Sequence, residues 1–452
     1  MQTKEFLNKV CEQIKYTPIR KEISEELENH IEELKDNYVQ EGMKEHEAEK
    51  EAIMQMGQAE EIGKRLNKIH KPKMNLQLLI ITLTLLGFGF LLSYIDNADN
   101  WKSNLIYITI SIIPFLIIYF FDYKKLQKYS YLIYFVATII LLMPIIADDT
   151  GTPRSVTRII AIPLYIIAFV GFIENISKKD EIKIEYIKTY KINVKIVIAV
   201  LSVISLMLLS QNNSNSQTLI VNLALTYYMV ITAKVIQTKN KKHIKKLCEV
   251  TAISIIMFAL ISLINLAQCG ELYGLTDRIA TGISTVFNPE IDPKISFLEL
   301  NKREAIKSAK LFGKADNVDI KTYLFFSEGE NKYFPLIALL LNYGWIISAL
   351  MIIMVISFNI KLIIDVTKIK DMYGKLLIIG IACSFIVKNV CCILINLNLL
   401  IPLKNAGIPF ISFGKMDLLM DILSLAVIFS VYRRKNIVID YNKKAIRNDY
   451  VH

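Results

Sequence analysis

Long runs of apolar residues recur along this chain and constrain its fold more than any other feature. A transmembrane helix needs roughly 20 mainly apolar residues, and ten charge-poor runs of about that kind can be counted. They span residues 76–94, 105–121, 131–147, 159–173, 196–209, 218–233, 250–268, 333–360, 376–400 and 416–432, the fourth and fifth being short. Hydrophobic residues make up 53% of the chain, more than one soluble core requires. The sequence therefore predicts an all-α, polytopic membrane protein with about ten transmembrane helices.

The basic residues between the runs predict the orientation of the chain, because Lys and Arg concentrate in cytoplasmic loops. Lysine-rich loops follow the second, fourth and sixth runs, whereas residues 210–217 after the fifth run carry no charge. The lysines concerned are Lys124, Lys125, Lys128, Lys178, Lys179, Lys183, Lys188, Lys191, Lys195, Lys234, Lys239, Lys241, Lys242, Lys245 and Lys246. Both termini are therefore expected in the cytoplasm, and the long loop 269–332 outside.

The net charge of +11 comes mainly from this loop bias and from a basic C-terminal tail, residues 436–452, with the preceding Arg433, Arg434 and Lys435. A basic cluster next to a membrane helix favours anionic lipid headgroups. We therefore expect contact with membrane lipids and no nucleic-acid partner. The polar opening segment indicates that the first apolar run inserts as an internal signal, without a cleavable signal peptide.

The cysteines do not form the pattern of a disulfide framework. Most of them are expected in the cytoplasm or in the ninth span, and one is near the outer face: Cys11, Cys248, Cys383, Cys391, Cys392 and Cys269. The sequence has no CxxC motif or pair of histidines at ligand spacing, so we expect no structural metal site.

Residues 1–73 are predicted to form a separate cytoplasmic helical domain. Apolar residues at spacings of four, four and three share one helix face, and glutamates cover much of the remainder: Ile23, Leu27, Ile31 and Leu34, with Glu22, Glu25, Glu26, Glu28, Glu32 and Glu33. Gly42 and Gly57 separate what we interpret as three short helices.

This opening segment resembles the permease prefix, or HAAS, domain that precedes bacterial membrane proteins. The matching positions are Glu26, Leu27, His30, Gly42, Glu47, Ala48, Ala52, Met56, Gly57 and Leu66. The resemblance implies a regulatory or docking unit. His30 could be a metal ligand or a pH switch, although a lone histidine on a charged helix more often packs or faces solvent.

Three charged residues inside the last two spans are costly to bury in lipid: Lys388, Asp417 and Asp421. Asp417 and Asp421 are four residues apart and share one helix face, with Asp421 the deeper of the two. We predict that at least one of them neutralises Lys388. Such a pair could line a substrate cavity or serve only to fix the packing of two helices.

Three segments resemble the SEDS family, the peptidoglycan polymerases of the FtsW, RodA and SpoVE type. They are PFISFG at 409–414, the outer segment 277–315 with Arg278 at a motif position, and residues 333–350, aligned through Gly344. The resemblance implies a bacterial plasma-membrane protein acting on lipid II or another undecaprenyl-linked substrate. A class B penicillin-binding protein partner is implied, and a divalent cation is possible. The implied cavity includes Arg278, Lys388, Ser412, Lys415, Asp417 and Asp421.

Several functional positions of the family are altered in this chain. The catalytic aspartate position is Tyr333, and the paired glutamate positions are Leu341 and Asn342. A phenol with a pKa of about 10 cannot replace a carboxylate as general base near neutral pH. The family's QPSE motif aligns with residues 162–165 and keeps only Pro163.

Replacement groups for the lost chemistry can be named in the outer loop. Glu328 and Glu330 are weak candidates for the base, since SEGEN is also typical of a solvated turn. Cations that could hold a diphosphate are Arg278, Lys294, Lys302, Arg303 and Lys307.

Three interpretations of function therefore stay open from the sequence. The first is a lipid II glycosyltransferase, and the second is a catalytically degenerate relative that acts as a scaffold or regulator of wall synthesis. The third is movement of lipid or solute through the polar groove. The resemblance leaves open whether the process is cell shape, division or sporulation.

Overall fold

The computed structural model describes residues 2–69, 74–96, 100–146, 154–181, 201, 204–206, 217–237, 297–316, 318, 334–397, 407–411 and 415–435. These residues form helices joined by short connections, and no strand occurs among them. The predicted all-α class is therefore confirmed. The chain divides into two compact units. One contains the N-terminal segment Met1–Asn75 with Lys368–Asp371 and Val431–His452, and the other contains Leu76–Thr367 and Met372–Ser430.

The N-terminal segment folds into four α-helices rather than the predicted three. They are α1 (Thr3–Gln13), α2 (Arg20–Gln40), α3 (Glu45–Met56) and α4 (Ala59–Ile69). The additional break lies between α1 and α2, where the 3-10 turn Thr17–Ile19 holds a proline in its first positions and so ends the preceding helical pattern. The predicted breaks near Gly42 and Gly57 are confirmed.

Apolar faces of these four helices meet in a core of their own. The face predicted for α2 is confirmed, because Ile23, Leu27 and Ile31 are buried and Leu34 packs against them. The buried residues from the other helices include Phe6, Leu7, Val10, Ala52, Ile53, Ile62 and Leu66. The segment thus has the amphipathic helices and the private core of a small domain.

The membrane unit contains longer and more apolar helices. They are α5 (Leu76–Asp96), α6 (Asn100–Phe120), α7 (Lys124–Lys128), α8 (Ser130–Ile146), α9 (Arg154–Glu181), α10 (Gln217–Gln237), α11 (Phe297–Ser308), α12 (Pro335–Tyr343), α13 (Trp345–Thr367), α14 (Met372–Asn396) and α15 (Lys415–Arg433). Among the described residues, four segments are long and apolar enough to cross a membrane: Leu76–Tyr94, Val156–Asn175, Trp345–Thr367 and Met372–Asn396. Two shorter apolar helices, Asn104–Phe120 and Ser130–Met143, accompany them.

Most of the predicted spans coincide with these helices. The fourth run was expected to be short, yet α9 continues for 28 residues and includes polar residues at both ends. The seventh run and most of the fifth lie outside the described residues. The chain is thus a helical, polytopic membrane protein, as its apolar runs predict.

The eighth run was predicted as one span, and this prediction is wrong, because the helix divides at Gly344. Gly344 has a φ of 84°, a left-handed conformation that glycine adopts without strain. The preceding α12 is a short, buried helix of nine residues, and α13 begins immediately after the break. Apolar composition predicts burial or membrane contact but does not report backbone direction, so the run alone could not reveal this division.

Candidate functional site

A small cavity that contains charged side chains lies between α9, α14 and α15. Its volume is about 20 Å³, about enough to hold one water molecule. Apolar side chains form most of its wall, and the polar groups are Lys388 and Ser384 of α14 with Asp417, Asp421 and Ser424 of α15. The three intramembrane charges singled out in the sequence therefore lie at one place, although they come from segments 29 to 33 residues apart.

The predicted neutralisation of Lys388 is confirmed. Its Nζ donates to Oδ1 of Asp421 over 2.8 Å. The two side chains are only 18% and 6% exposed, so the pair is almost fully removed from solvent. Asp417 lies one helical turn before Asp421 and lines the same cavity. The two predicted roles of the cluster, lining a substrate cavity and fixing the packing of two helices, both stay predictions.

The segment Ile408–Ile411, which overlaps the start of the PFISFG motif at 409–414, reaches the same cluster. The backbone N–H of Phe410 donates a hydrogen bond to the carboxylate of Asp421. Phe410 has a φ of 67°, and no other non-glycine residue among those described has a positive φ. Such a conformation costs about 1–2 kcal/mol for a residue with a Cβ, and the hydrogen bond to Asp421 is one interaction that offsets it.

Aromatic packing holds Phe410 in place. Its ring meets the rings of Phe358 and Phe385 with both centroids 5.5 Å away, in edge-to-face contacts. Phe385 also lines the cavity, so the aromatic cluster joins α13, α14 and the motif segment at the cavity wall. The wall is therefore a packed structure with a defined geometry.

Helix α9 contributes the opposite wall of the cavity. Ile159, Ile162, Pro163 and Ile166 line it. Pro163 lacks the N–H that would bond the carbonyl of Ile159, so the helix loses one backbone hydrogen bond beside the cavity. This wall includes residues 162–165, which the resemblance aligns with the QPSE motif. Ile162 occupies the position of the motif's glutamine.

The end of α12, next to the break at Gly344, holds the two positions that the resemblance aligns with paired glutamates, Leu341 and Asn342. Leu341 is fully buried, and the Asn342 side chain donates to the carbonyl of Ala338 over 2.9 Å. At the other end of α12, Asn396 of α14 accepts the backbone N–H groups of Leu336 and Ile337 over 3.1 and 3.4 Å. The first turn of α12 is thus capped by a neighbouring helix.

Lys302 lies close to the start of α12. Its Nζ is 5.8 Å from the ring centroid of Phe334, the residue that follows Tyr333, and the side chain is buried. Of the outer-loop cations named above, Lys302, Arg303 and Lys307 are on α11. Arg278, Lys294, Glu328, Glu330, Tyr333 and Ser412 lie outside the described residues. Lys415 begins α15 as an exposed residue and does not line the cavity.

Two further buried ion pairs were missed in the sequence. Glu174 of α9 accepts from Lys234 of α10 over 2.8 Å. Lys234 was predicted to belong to the lysine-rich loop after the sixth run, whereas it lies on α10 and is buried. In α13, Lys361 donates to Asp365 over 2.9 Å. The spacing of four residues could have revealed the second pair. The first joins residues 60 positions apart, and no local pattern signals such a contact.

The residues described do not present a donor set for a metal ion. No group of three or more His, Cys, Asp and Glu side chains at ligand spacing occurs among them. Mg²⁺ and Ca²⁺ require several oxygen ligands, whereas Asp421 already binds a lysine. The divalent cation suggested by the resemblance stays a prediction. His30 lies 3.8 Å from Glu33 on the same helix, a contact that does not indicate a metal site.

No protein-family model matches this sequence, and no curated protein matches it. Among solved structures, the chain is similar to a chain of a peptidoglycan synthase complex. That structure concerns the structural coordination of polymerization and crosslinking by the complex. The match has a TM-score of 0.55 at 11% identity and covers 80% of this chain and 98% of that one. It shows a shared fold.

Two further similar structures are those of the Thermus thermophilus rod shape determining protein RodA. A mutant form matches with a TM-score of 0.49, and the unaltered form with 0.48, both at 11% identity. The matches cover 80% of this chain, with 98% of the mutant chain and 97% of the unaltered chain.

Proposed function

We propose that this chain is a bacterial plasma-membrane protein of peptidoglycan synthesis with a SEDS-type fold. The observation that carries the proposal is the shared fold with a chain of a peptidoglycan synthase complex, which extends over 98% of that chain. The motif segments 277–315, 333–350 and 409–414 support the same family independently of the fold. The substrate is lipid II or a related undecaprenyl-linked precursor, and both termini are cytoplasmic.

The proposed reaction is transfer of a glycan onto a lipid-linked acceptor. Such a transfer needs a base to deprotonate the attacking hydroxyl and positive charge to stabilise the departing diphosphate. Lys388 is the cation that lines the described cavity, and its ammonium group is bound to the Asp421 carboxylate when no substrate is present. Because the cavity holds only about one water molecule, binding of a diphosphate at this position would require the cavity to widen and a phosphate oxygen to replace the Asp421 carboxylate.

A catalytically degenerate scaffold is the second candidate function. It is favoured by apolar or neutral residues at the family's carboxylate positions, of which Leu341 is fully buried and Asn342 bonds a backbone carbonyl. A scaffold would keep the fold and the surface for a class B penicillin-binding protein without turning over substrate. The HAAS-like domain would act as the regulatory or docking unit in both cases.

The test is polymerisation of labelled lipid II by the purified protein, alone and with a class B penicillin-binding protein. The variants are Tyr333→Asp and the double change Glu328→Ala with Glu330→Ala. Glycan strands from the unaltered protein that are lost in the double variant would support an enzyme with a relocated base. Product from Tyr333→Asp alone would support the scaffold, with a vacated active site.

A binding experiment tests the proposed place in wall synthesis independently of whether the protein forms glycan strands. We expect the unaltered protein to bind lipid II and the penicillin-binding protein in nanodiscs, whether or not it forms glycan strands. Failure to bind either of them would contradict a place in wall synthesis. Binding without turnover, even with Mg²⁺ supplied, would leave the scaffold as the function.

A further inference from the structure

Two neighbouring large apolar side chains stand exposed after α11. Leu311 is 75% exposed and Phe312 is 71% exposed. They lie in the segment 309–316, which follows α11 and which we name the tip loop. Single exposed apolar residues are ordinary on a protein surface, but two adjacent ones at the end of a loop mark an interaction surface.

Backbone hydrogen bonds fix the tip loop to the break between α12 and α13. The N–H groups of Trp345 and Ile346 donate to the carbonyls of Lys310 and Leu311 over 2.9 and 3.1 Å. In the opposite direction, Gly313 donates to Tyr343 over 3.1 Å, and Ala315 donates to Leu341 over 2.8 Å. The exposed pair therefore has a defined position relative to the first turn of α13.

A Cβ at Gly344 would lie 2.7 Å from the carbonyl oxygen of Lys310. The tip loop can approach this closely only because residue 344 is glycine. The left-handed backbone at Gly344 and its close contact with the tip loop together fix Leu311 and Phe312 beside the start of α13.

The length and the first residue of α13 favour a position of its first turn at the membrane surface. α13 has 23 residues and a length of about 34 Å, which matches the roughly 30 Å hydrocarbon core of a bilayer. It begins with Trp345, and tryptophan is enriched at the membrane–water boundary. Because the tip loop bonds to Trp345 and Ile346, its exposed pair lies at the same level.

The apolar surface of the tip loop continues the lipid-facing stripe of α13. The exposed residues of α13 recur at helical spacing along one side: Ile346, Leu350, Ile353, Ile356, Ile360, Ile363 and Ile364. Ile346 is the first of them, and its backbone N–H binds the carbonyl of Leu311. The pair at the tip therefore extends the exposed apolar stripe of α13.

Lysines flank the exposed pair on both sides. Lys307, Lys310 and Lys314 lie within the same stretch, and Lys310 forms an ion pair with Asp316. Apolar side chains between basic residues are typical of segments that rest in the boundary between headgroups and acyl chains. Such lysines also favour anionic lipid over neutral lipid.

We propose that the tip loop is a membrane-surface anchor. Leu311 and Phe312 insert into the headgroup–acyl boundary of the bilayer, and the neighbouring lysines contact anionic headgroups. Through its backbone bonds to Leu341, Tyr343, Trp345 and Ile346, the loop sets the height of the α12–α13 break relative to the bilayer surface. The partner of this surface is the lipid bilayer and not a second protein.

Tryptophan quenching in vesicles tests this anchor. The chain has two tryptophans, Trp101 and Trp345, and both are replaced by phenylalanine in the background. Phe312→Trp then reports the depth of the tip, in phosphatidylglycerol–phosphatidylethanolamine vesicles that carry brominated chains. We expect a blue-shifted emission that is quenched more by bromine near the glycerol end of the chain than by bromine near its methyl end.

Reference positions calibrate the measurement. Leu350→Trp, on the lipid-facing stripe of α13, should be quenched more by the deeper bromine, and Met54→Trp, exposed in the N-terminal domain, by neither. Leu311→Trp provides a second reporter if Phe312→Trp fails to fold. Neutral phosphatidylcholine vesicles should reduce the quenching of the tip.

Two results would overturn the anchor. The first is tip emission that resembles the Met54→Trp reference in every lipid mixture. The second is a blue shift that requires an added penicillin-binding protein, because the exposed pair would then be a protein contact.

Discussion

At the scale of residues, the pair formed by Lys388 and Asp421 constrains the packing of α14 against α15. Each charge alone is expensive inside a bilayer, and the cost falls when the two meet in a hydrogen-bonded pair. The pair is 2.8 Å long and nearly solvent-free. Because the backbone of Phe410 bonds the same carboxylate, the pair also ties the PFISFG motif to α14 and α15.

Replacement of Lys388 by alanine should strongly destabilise the membrane unit. The change leaves Asp421 buried without its counter-ion, and breaking a buried pair in this way costs about 3–5 kcal/mol. Thermal unfolding in detergent measures the loss. Lys415→Ala is the matched control, since Lys415 is exposed at the start of α15 and should change stability by less than about 0.5 kcal/mol. Equal melting temperatures for the two variants would refute the structural role of the pair.

The N-terminal domain has a pH-dependent contact at Glu49. Thr3 donates to Glu49 Oε1 from its hydroxyl over 2.6 Å and from its backbone N–H over 3.2 Å, and these bonds lower the pKa of Glu49. A lowered pKa means that the folded domain favours the ionised carboxylate. The contribution is complete above the ordinary value of 4.5 and is lost as the pH falls through the lower folded value.

We expect Glu49→Gln to remove this part of the pH dependence. Urea unfolding of residues 1–75 from pH 7 to pH 3 should show a smaller acid loss of stability in the variant than in the unaltered domain. Because Glu49 is partly exposed, the difference should be small. Glu51→Gln, at an exposed glutamate two residues further along the same helix, serves as the control. A difference that grows above pH 5 would contradict the sign of the effect.

At the scale of elements, close approaches of backbone to backbone organise the membrane unit. The α12–α13 break meets the tip loop at Gly344, and α5 meets the PFISFG segment at Gly89. A Cβ at Gly89 would lie 2.7 Å from the carbonyl oxygen of Phe410 and 3.3 Å from the Cα of Ile411. These atoms belong to the backbone, so they cannot move aside as the end of a flexible side chain would.

Substitution of Gly89 by alanine should separate α5 from the PFISFG segment and reduce stability by about 1–3 kcal/mol, the usual cost of overpacking. Gly87→Ala is a matched control two residues away on the same helix, because nothing lies within 4 Å of a Cβ at Gly87. That change should stabilise α5 by up to about 1 kcal/mol, since alanine is the better helix former. Thermal unfolding should therefore rank the two variants on opposite sides of the unaltered protein, and the reverse order would contradict the contact.

At the scale of the whole molecule, the two compact units have separate cores. Among the described residues, the core of the N-terminal domain contains buried side chains from Phe6 to Leu66. The membrane unit is stabilised by helix packing and by buried pairs, including Glu174–Lys234 and Lys361–Asp365. A small helical domain with its own core meets the usual condition for independent folding.

We predict that residues 1–75 fold alone and that the full chain unfolds in two transitions. Circular dichroism of the fragment should show a helical spectrum and cooperative melting at the temperature of one calorimetric transition of the full chain. Ile31→Ala should lower that transition alone, because removing most of a buried isoleucine costs about 2–5 kcal/mol. A random-coil spectrum for the fragment would mean that this domain depends on the rest of the chain.

The amino-acid sequence by itself determined the helical class, most of the membrane helices and the need for Lys388 to find a carboxylate. These properties follow from transfer free energies, which depend on composition and on short spacings. The tertiary structure alone decided the break at Gly344, the positive φ of Phe410 and the Glu174–Lys234 pair. Each depends on a contact between segments far apart in the chain. Periodicity and hydropathy describe only local stretches of sequence, so they do not predict which distant segments will be in contact.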